Sequence, residues 1–182
     1  MQDKLTQIKN FADNAHGSQM RKYSNERYIV HPIRVMQLCE PYTNRIEVLA
    51  AALLHDVLED TPITEVELTE FLQGILTNEQ TQKTIQLVVE LTDVYTKENY
   101  PQWNRNYRKT LETERIKNIS ADAQTIKYAD ILDNAHEITR SDPHFAPRFL
   151  KECLQILNVA SKGNETLYQL AQYKLLKELR KN

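Results

Sequence analysis

The chain has 182 residues, 41% of them hydrophobic, with a formal net charge of −2, which fits one globular domain with a sizeable core and gives no global pull toward nucleic acid. Its three glycines, Gly17, Gly74 and Gly163, stand alone and exclude Gly-rich phosphate loops, while Cys39 and Cys153 lie too far apart for a CxxC metal or redox motif. No apolar run is long enough to span a bilayer, and Met1-Gln2-Asp3-Lys4 opens no signal core, so a soluble, cytoplasmic protein is expected.

Helical patterns run almost throughout. Leu5, Ile8, Phe11, Ala12 and Ala15 recur at helical spacing, followed by a polar interruption from His16 to Arg27. His31-Pro32 opens a second helix, which Pro41 ends. A third, capped by Asn44 with Glu47, is expected to run from Val48 through Asp60 and stop at Thr61-Pro62. Thr64 with Glu67 starts another, carrying Val66, Leu68, Phe71 and Leu72; Asn78 caps the next, with Ile85, Val88, Val89 and Leu91 on one face. Asp93 to Trp103 reads as a polar, aromatic loop. A charged helix then covers about 104–117, and Ser120 caps one through Ile126, Ala129, Leu132 and Ala135. Two more helices follow Pro147 and Asn164. The stripe Leu167, Leu170, Ala171, Leu175, Leu176 and Leu179 reads as core packing, with a homodimer interface as the alternative.

The informative stretch is His55-Asp56-Val57-Leu58-Glu59-Asp60. It follows the apolar run Val48–Leu54 directly, so four ionisable groups close what reads as a buried helix. Burying charge without partners costs several kcal/mol, and such groups are paired or bind metal. Helical spacing sets His55 over Glu59 and Asp56 over Asp60, a set suited to a divalent cation with an attached water. His31 is either a capping or packing histidine or a further ligand. Asp130, with Asn134 one turn on, is either a structural pair or part of the same set. Two imidazoles and two carboxylates together favour manganese, iron or zinc over calcium.

These residues stand in longer blocks: Ala15-His16-Gly17-Ser18-Gln19-Met20-Arg21-Lys22, Tyr28-Ile29-Val30-His31-Pro32-Ile33, Ala52 to Thr61, Leu91-Thr92-Asp93, Asn106-Tyr107-Arg108-Lys109, and Ile126-Lys127-Tyr128-Ala129-Asp130 ending at Asn134. On them the chain resembles the HD superfamily, and more closely the (p)ppGpp hydrolase domain of the RelA/SpoT group. The resemblance implies an all-α HD-domain helical bundle, one domain over 1–182, that removes the 3′-pyrophosphate of (p)ppGpp. It implies one Mn²⁺ held by His31, His55, Asp56 and Asp130, and water activation by Glu59 and Asp60. It also implies nucleotide contacts from Arg21, Lys22, Tyr28, Arg108, Lys109 and Asn134. The chain departs from the family pattern at Arg105, His136 and Glu137 and in the loop Tyr23–Arg27, positions expected near the nucleotide and away from the metal. Another nucleotide (a nucleoside monophosphate or NADPH) and a non-catalytic nucleotide sensor are the alternatives.

Overall fold

The computed structural model, which describes residues 1–181, consists of helices joined by turns and two longer loops, 17–29 and 92–104. In chain order they are α1 (Gln2–His16), α2 (Val30–Cys39), a 3-10 turn (Glu40–Tyr42), α3 (Ile46–Leu54), α4 (Val57–Asp60), α5 (Glu65–Gln73), α6 (Asn78–Leu91), α7 (Arg105–Asn118), α8 (Ala121–Ser141), α9 (Ala146–Val159) and α10 (Glu165–Leu179). The β-pairing among the described residues is an isolated bridge between Met20 and Arg27. Two compact units divide the chain, Met1–Thr92 and Asp93–Asn182.

In the first unit α3 is the hub, because a helix apolar on all sides must be covered on all sides. Every residue of α3 except Glu47 is buried, and α1, α2 and α6 pack around it. Thr64–Glu67 forms a reciprocal capping box at the start of α5. Three local expectations fail. The N-cap of α6 is Thr77, boxed with Gln80, in place of Asn78, and the N-cap of α3 is Arg45, with no side-chain cap from Asn44. Val66 and Val89 are exposed, while Leu87, outside the expected stripe, is buried.

In the second unit α8 packs against α9 and α10, and α7 against α9. Asn104, Ser120 and Asn164 cap α7, α8 and α10 through their side chains. Leu167, Ala171 and Leu175 of α10 are buried but Leu176 is exposed. Tyr128, fully buried, ties α8 to the turn before α10. Its hydroxyl donates to the Ala160 carbonyl (2.6 Å) and accepts the Gly163 N–H (3.1 Å). A Cβ at Gly163 would lie 2.5 Å from the Tyr128 ring, so the close approach requires glycine. Glu112 is also buried. Its Oε2 accepts the N–H groups of Val94 and Tyr95 (both 3.1 Å), and Oε1 accepts from Arg115, anchoring the loop in which Tyr100 and Trp103 stack.

Candidate active site

The polar interruption after α1 is a hook. Gly17 ends α1 with φ +56°, a conformation glycine adopts without a Cβ clash, and its N–H donates to the Asp13 carbonyl (3.0 Å). The chain then doubles back. Tyr28 N–H donates to Gln19 C=O and Arg21 N–H to Glu26 C=O (both 2.9 Å). Arg27 clamps the hook onto α1 through Asp13 (2.8 Å) and the Gly17 carbonyl (3.0 Å). Gln19 and Tyr28 thus stand side by side, and α2 starts two residues later, placing His31 in its first turn, where it is buried.

His55 and Asp56 lie in a break and not in a continuous helix. The expected Val48–Asp60 helix stops at Leu54 and resumes as the single turn α4, with Asp56 at φ −98°, ψ −4°. In an uninterrupted helix adjacent side chains diverge by about 100°. The break instead brings His55 Nε2 to 3.1 Å from Asp56 Oδ2, with His31 Nε2 at 3.6 Å from the same oxygen. One ligand atom from each of the three residues lies within 4.8 Å of the others.

This trio fits a transition-metal ion. His55 Nδ1 donates to the Ala52 carbonyl (2.9 Å), so in the neutral ring Nε2 carries the lone pair. A lone pair facing a carboxylate oxygen is unfavourable until a cation lies between them, and a two-nitrogen, one-oxygen set is a borderline-soft donor set. The Tyr28 hydroxyl donates to the same Oδ2 (2.7 Å). Burial, then the charges of Asp56 and Asp60, then hydrogen bonds to both, push that phenol far up, so it remains a donor.

A family model described as the HD domain matches residues 9–161. The chain belongs to the HD domain family. It is 36% identical over 144 residues to human guanosine-3′,5′-bis(diphosphate) 3′-pyrophosphohydrolase MESH1, covering 76% of this chain and 72% of that protein. It is 30% identical over 141 residues to a probable guanosine-3′,5′-bis(diphosphate) 3′-pyrophosphohydrolase of Mycoplasma pneumoniae, covering 74% of this chain and 18% of that protein. The chain thus spans under a fifth of the length of such long bacterial relatives. Among solved structures, a metazoan ortholog of SpoT that hydrolyzes ppGpp superposes with a TM-score of 0.79 at 24% identity, over 96% of this chain and 94% of that one, a match of all-α fold.

The remaining candidates of this HD chain divide by unit. In the first, Glu59 and Asp60 are exposed on α4, and Asp60 Oδ2 accepts a long hydrogen bond (3.5 Å) from Gln19 Nε2. Arg21 is buried with its guanidinium 5.5 Å from the Tyr28 ring centre; Lys22 is exposed and lies over Tyr23. In the second, Asp130 is buried. Its Oδ1 accepts from Asn134 (2.5 Å) and its Oδ2 from Lys127 (2.8 Å), so the expected Asp130–Asn134 pair is present. Arg108 donates to the Trp103 carbonyl and Lys109 to Asp93 (3.2 Å). Arg105 grips Glu152 with two hydrogen bonds (3.1 and 2.6 Å), and His136 Nε2 meets Arg140 at 3.2 Å.

Sequence reasoning missed His16 and Gln19 as site residues, although both stood in a quoted block. A His and a Gln three residues apart at a helix end were the available signal. Both cysteines are buried and burial first of all pushes their thiols up to about 12, which leaves no thiolate nucleophile. Among the described residues no helix is long and apolar enough to cross a membrane.

Proposed function

We propose that this chain is a metal-dependent (p)ppGpp 3′-pyrophosphohydrolase, a single HD domain working in the cytoplasm. The observation that carries the reading is the convergence of His31 Nε2 and His55 Nε2 on Asp56 Oδ2, which also accepts from the Tyr28 hydroxyl. The activity in the names of the relatives, and the family match running through both units, support the nucleotide and the domain extent. His31, His55 and Asp56 would hold Mn²⁺, and Asp130 is taken as a fourth ligand on the family pattern alone. When bound, such an ion supplies Lewis acidity and brings a water's pKa toward neutrality.

Glu59 and Asp60 orient the attacking water and accept its proton. Water oxygen bonds to the phosphorus attached to the ribose 3′ oxygen. The bond between that phosphorus and the 3′ oxygen breaks, the oxygen is protonated, and GDP or GTP and pyrophosphate leave. Arg21, Lys22, Arg108 and Lys109 offset phosphate charge, and Tyr28 and Asn134 line the nucleotide side, each on the family pattern. A homodimer through α10 is the assembly consistent with its exposed Tyr173 and Leu176.

A product assay of Mn²⁺-loaded protein against ppGpp, pppGpp, nucleoside monophosphates and NADPH tests the reading. ppGpp is expected to have the highest kcat/KM, with pyrophosphate released. Losing two charge-assisted contacts costs a monophosphate ~10²-fold or more. Equal or faster turnover of a monophosphate or NADPH overturns the alarmone assignment. Binding of ppGpp without turnover overturns the enzyme and makes the chain a sensor.

A further inference from the structure

Three residues outside the expected catalytic set meet around the Asp56 and Asp60 carboxylates. The Tyr28 hydroxyl donates to Asp56 Oδ2 at 2.7 Å, the oxygen that faces both imidazole Nε2 atoms, and the Asp60 carboxylate lies near enough for its charge to act on that phenol. His16 Nδ1 lies 2.9 Å from Gln19 Oε1, and Gln19 Nε2 reaches Asp60 Oδ2 at 3.5 Å. The His16 ring packs on the Tyr28 ring at 4.5 Å between centres, and the main chains of Gln19 and Tyr28 are hydrogen-bonded.

The proton placement follows from electrostatics. An amide oxygen turned toward the Asp60 carboxylate would repel it, so the Gln19 NH₂ faces Asp60 and its Oε1 faces His16. His16 must then carry its hydrogen on Nδ1. His16 is buried, and its Nε2 has no hydrogen-bond partner among the described residues. A buried unsatisfied nitrogen is a cost that a side chain kept for packing alone would not carry. The two carboxylates, four residues apart, also repel each other. Donors from Tyr28 and Gln19 offset that repulsion and fix which oxygen of each acid is engaged.

We infer that Tyr28, Gln19 and His16 are positioning residues. Tyr28 orients Asp56 toward the metal, and Gln19, held by His16, orients Asp60 toward the water it deprotonates. The inference rests on the proposed roles of Asp56 and Asp60. It deepens them by giving the hook between α1 and α2 a function apart from the nucleotide contact suggested by Arg21 and Lys22.

The test combines Mn²⁺ titration calorimetry with steady-state kinetics at saturating Mn²⁺. Tyr28→Phe keeps both ring contacts and removes only the hydroxyl; it should weaken Mn²⁺ binding ~10–100-fold, the range for a lost partner of a metal-ligating carboxylate. Gln19→Met should leave Mn²⁺ affinity and KM unchanged and lower kcat by roughly 10-fold. His16→Asn, which returns an N–H near the Nδ1 position, should keep more of kcat than His16→Leu, a rescue that a packing role would not produce. Wild-type Mn²⁺ affinity in Tyr28→Phe together with wild-type kcat in Gln19→Met overturns the inference. If wild-type protein hydrolyses no ppGpp but Tyr28→Phe still loses Mn²⁺ affinity, the nucleotide reading fails and the Tyr28–Asp56 assignment stands. If wild type hydrolyses ppGpp and the variants match it, the inference alone fails.

Discussion

In the second unit Glu112 commits both carboxylate oxygens to its own chain: two backbone N–H groups on one and Arg115 on the other. In the first unit Asp56 Oδ2 meets one hydroxyl donor and two imidazole nitrogens, one of which has its proton on the far side of the ring. Glu112 is surrounded by donors and acts as a strut that shapes a loop. Asp56 faces the His55 lone pair, an arrangement suited to a cation. What separates the strut from the proposed metal ligand is the sign of the partners each acid meets.

The largest effects should come from the Asp56 side. Metal analysis of wild type is expected to give roughly one ion per chain, and His55→Ala to lose that ion and hydrolysis with it. Glu59→Gln should keep the ion and slow turnover ~10²–10⁴-fold, the usual worth of acid–base help. Full metal occupancy in His55→Ala would erase the distinction between the two acids.

Glu112→Ala should act oppositely. It strands the Val94 and Tyr95 N–H groups and breaks the pair with Arg115, so urea unfolding should show a loss of about 3 kcal/mol while metal content is unchanged. A stability close to wild type would mean that the loop finds other acceptors and that Glu112 is no strut.

Glu152 sharpens the comparison from the weak end. Partial burial opposes its ionisation, but hydrogen bonds and charge from Arg105, then Arg148, hold its carboxyl below the usual range. A lowered carboxyl stabilises the fold above its unfolded pKa of about 4.3, and that stability is lost as pH falls through the folded value. Glu152→Gln should therefore cost at most ~1 kcal/mol at neutral pH, since the partners are part-exposed, and the variant should converge with wild type in acid. A gap that persists or widens in acid would show that packing, and not charge, is what Glu152 supplies.

Much of this was local and therefore legible. Thr64 with Glu67, and Asn104, Ser120 and Asn164, announce their helices because a cap and its N–H lie within three residues. The apolar run Val48–Leu54 marks the hub of its unit because a helix without a polar face has to be covered. His31, His55 and Asp56 stood out by residue type, since charge beside a buried run needs a partner. What periodicity cannot carry is a break in it. The helix break at His55-Asp56 conflicts with the helical pattern around it and is set by convergence with His31, which no local signal encodes. Val66, Val89 and Leu176 fit apolar stripes yet face solvent, because neighbouring helices decide how wide a covered face is. The hook joining His16, Gln19 and Tyr28 to Asp56 and Asp60, and the Arg105–Glu152 pair across 47 positions, depend on distant segments meeting, and tertiary packing alone settles those encounters.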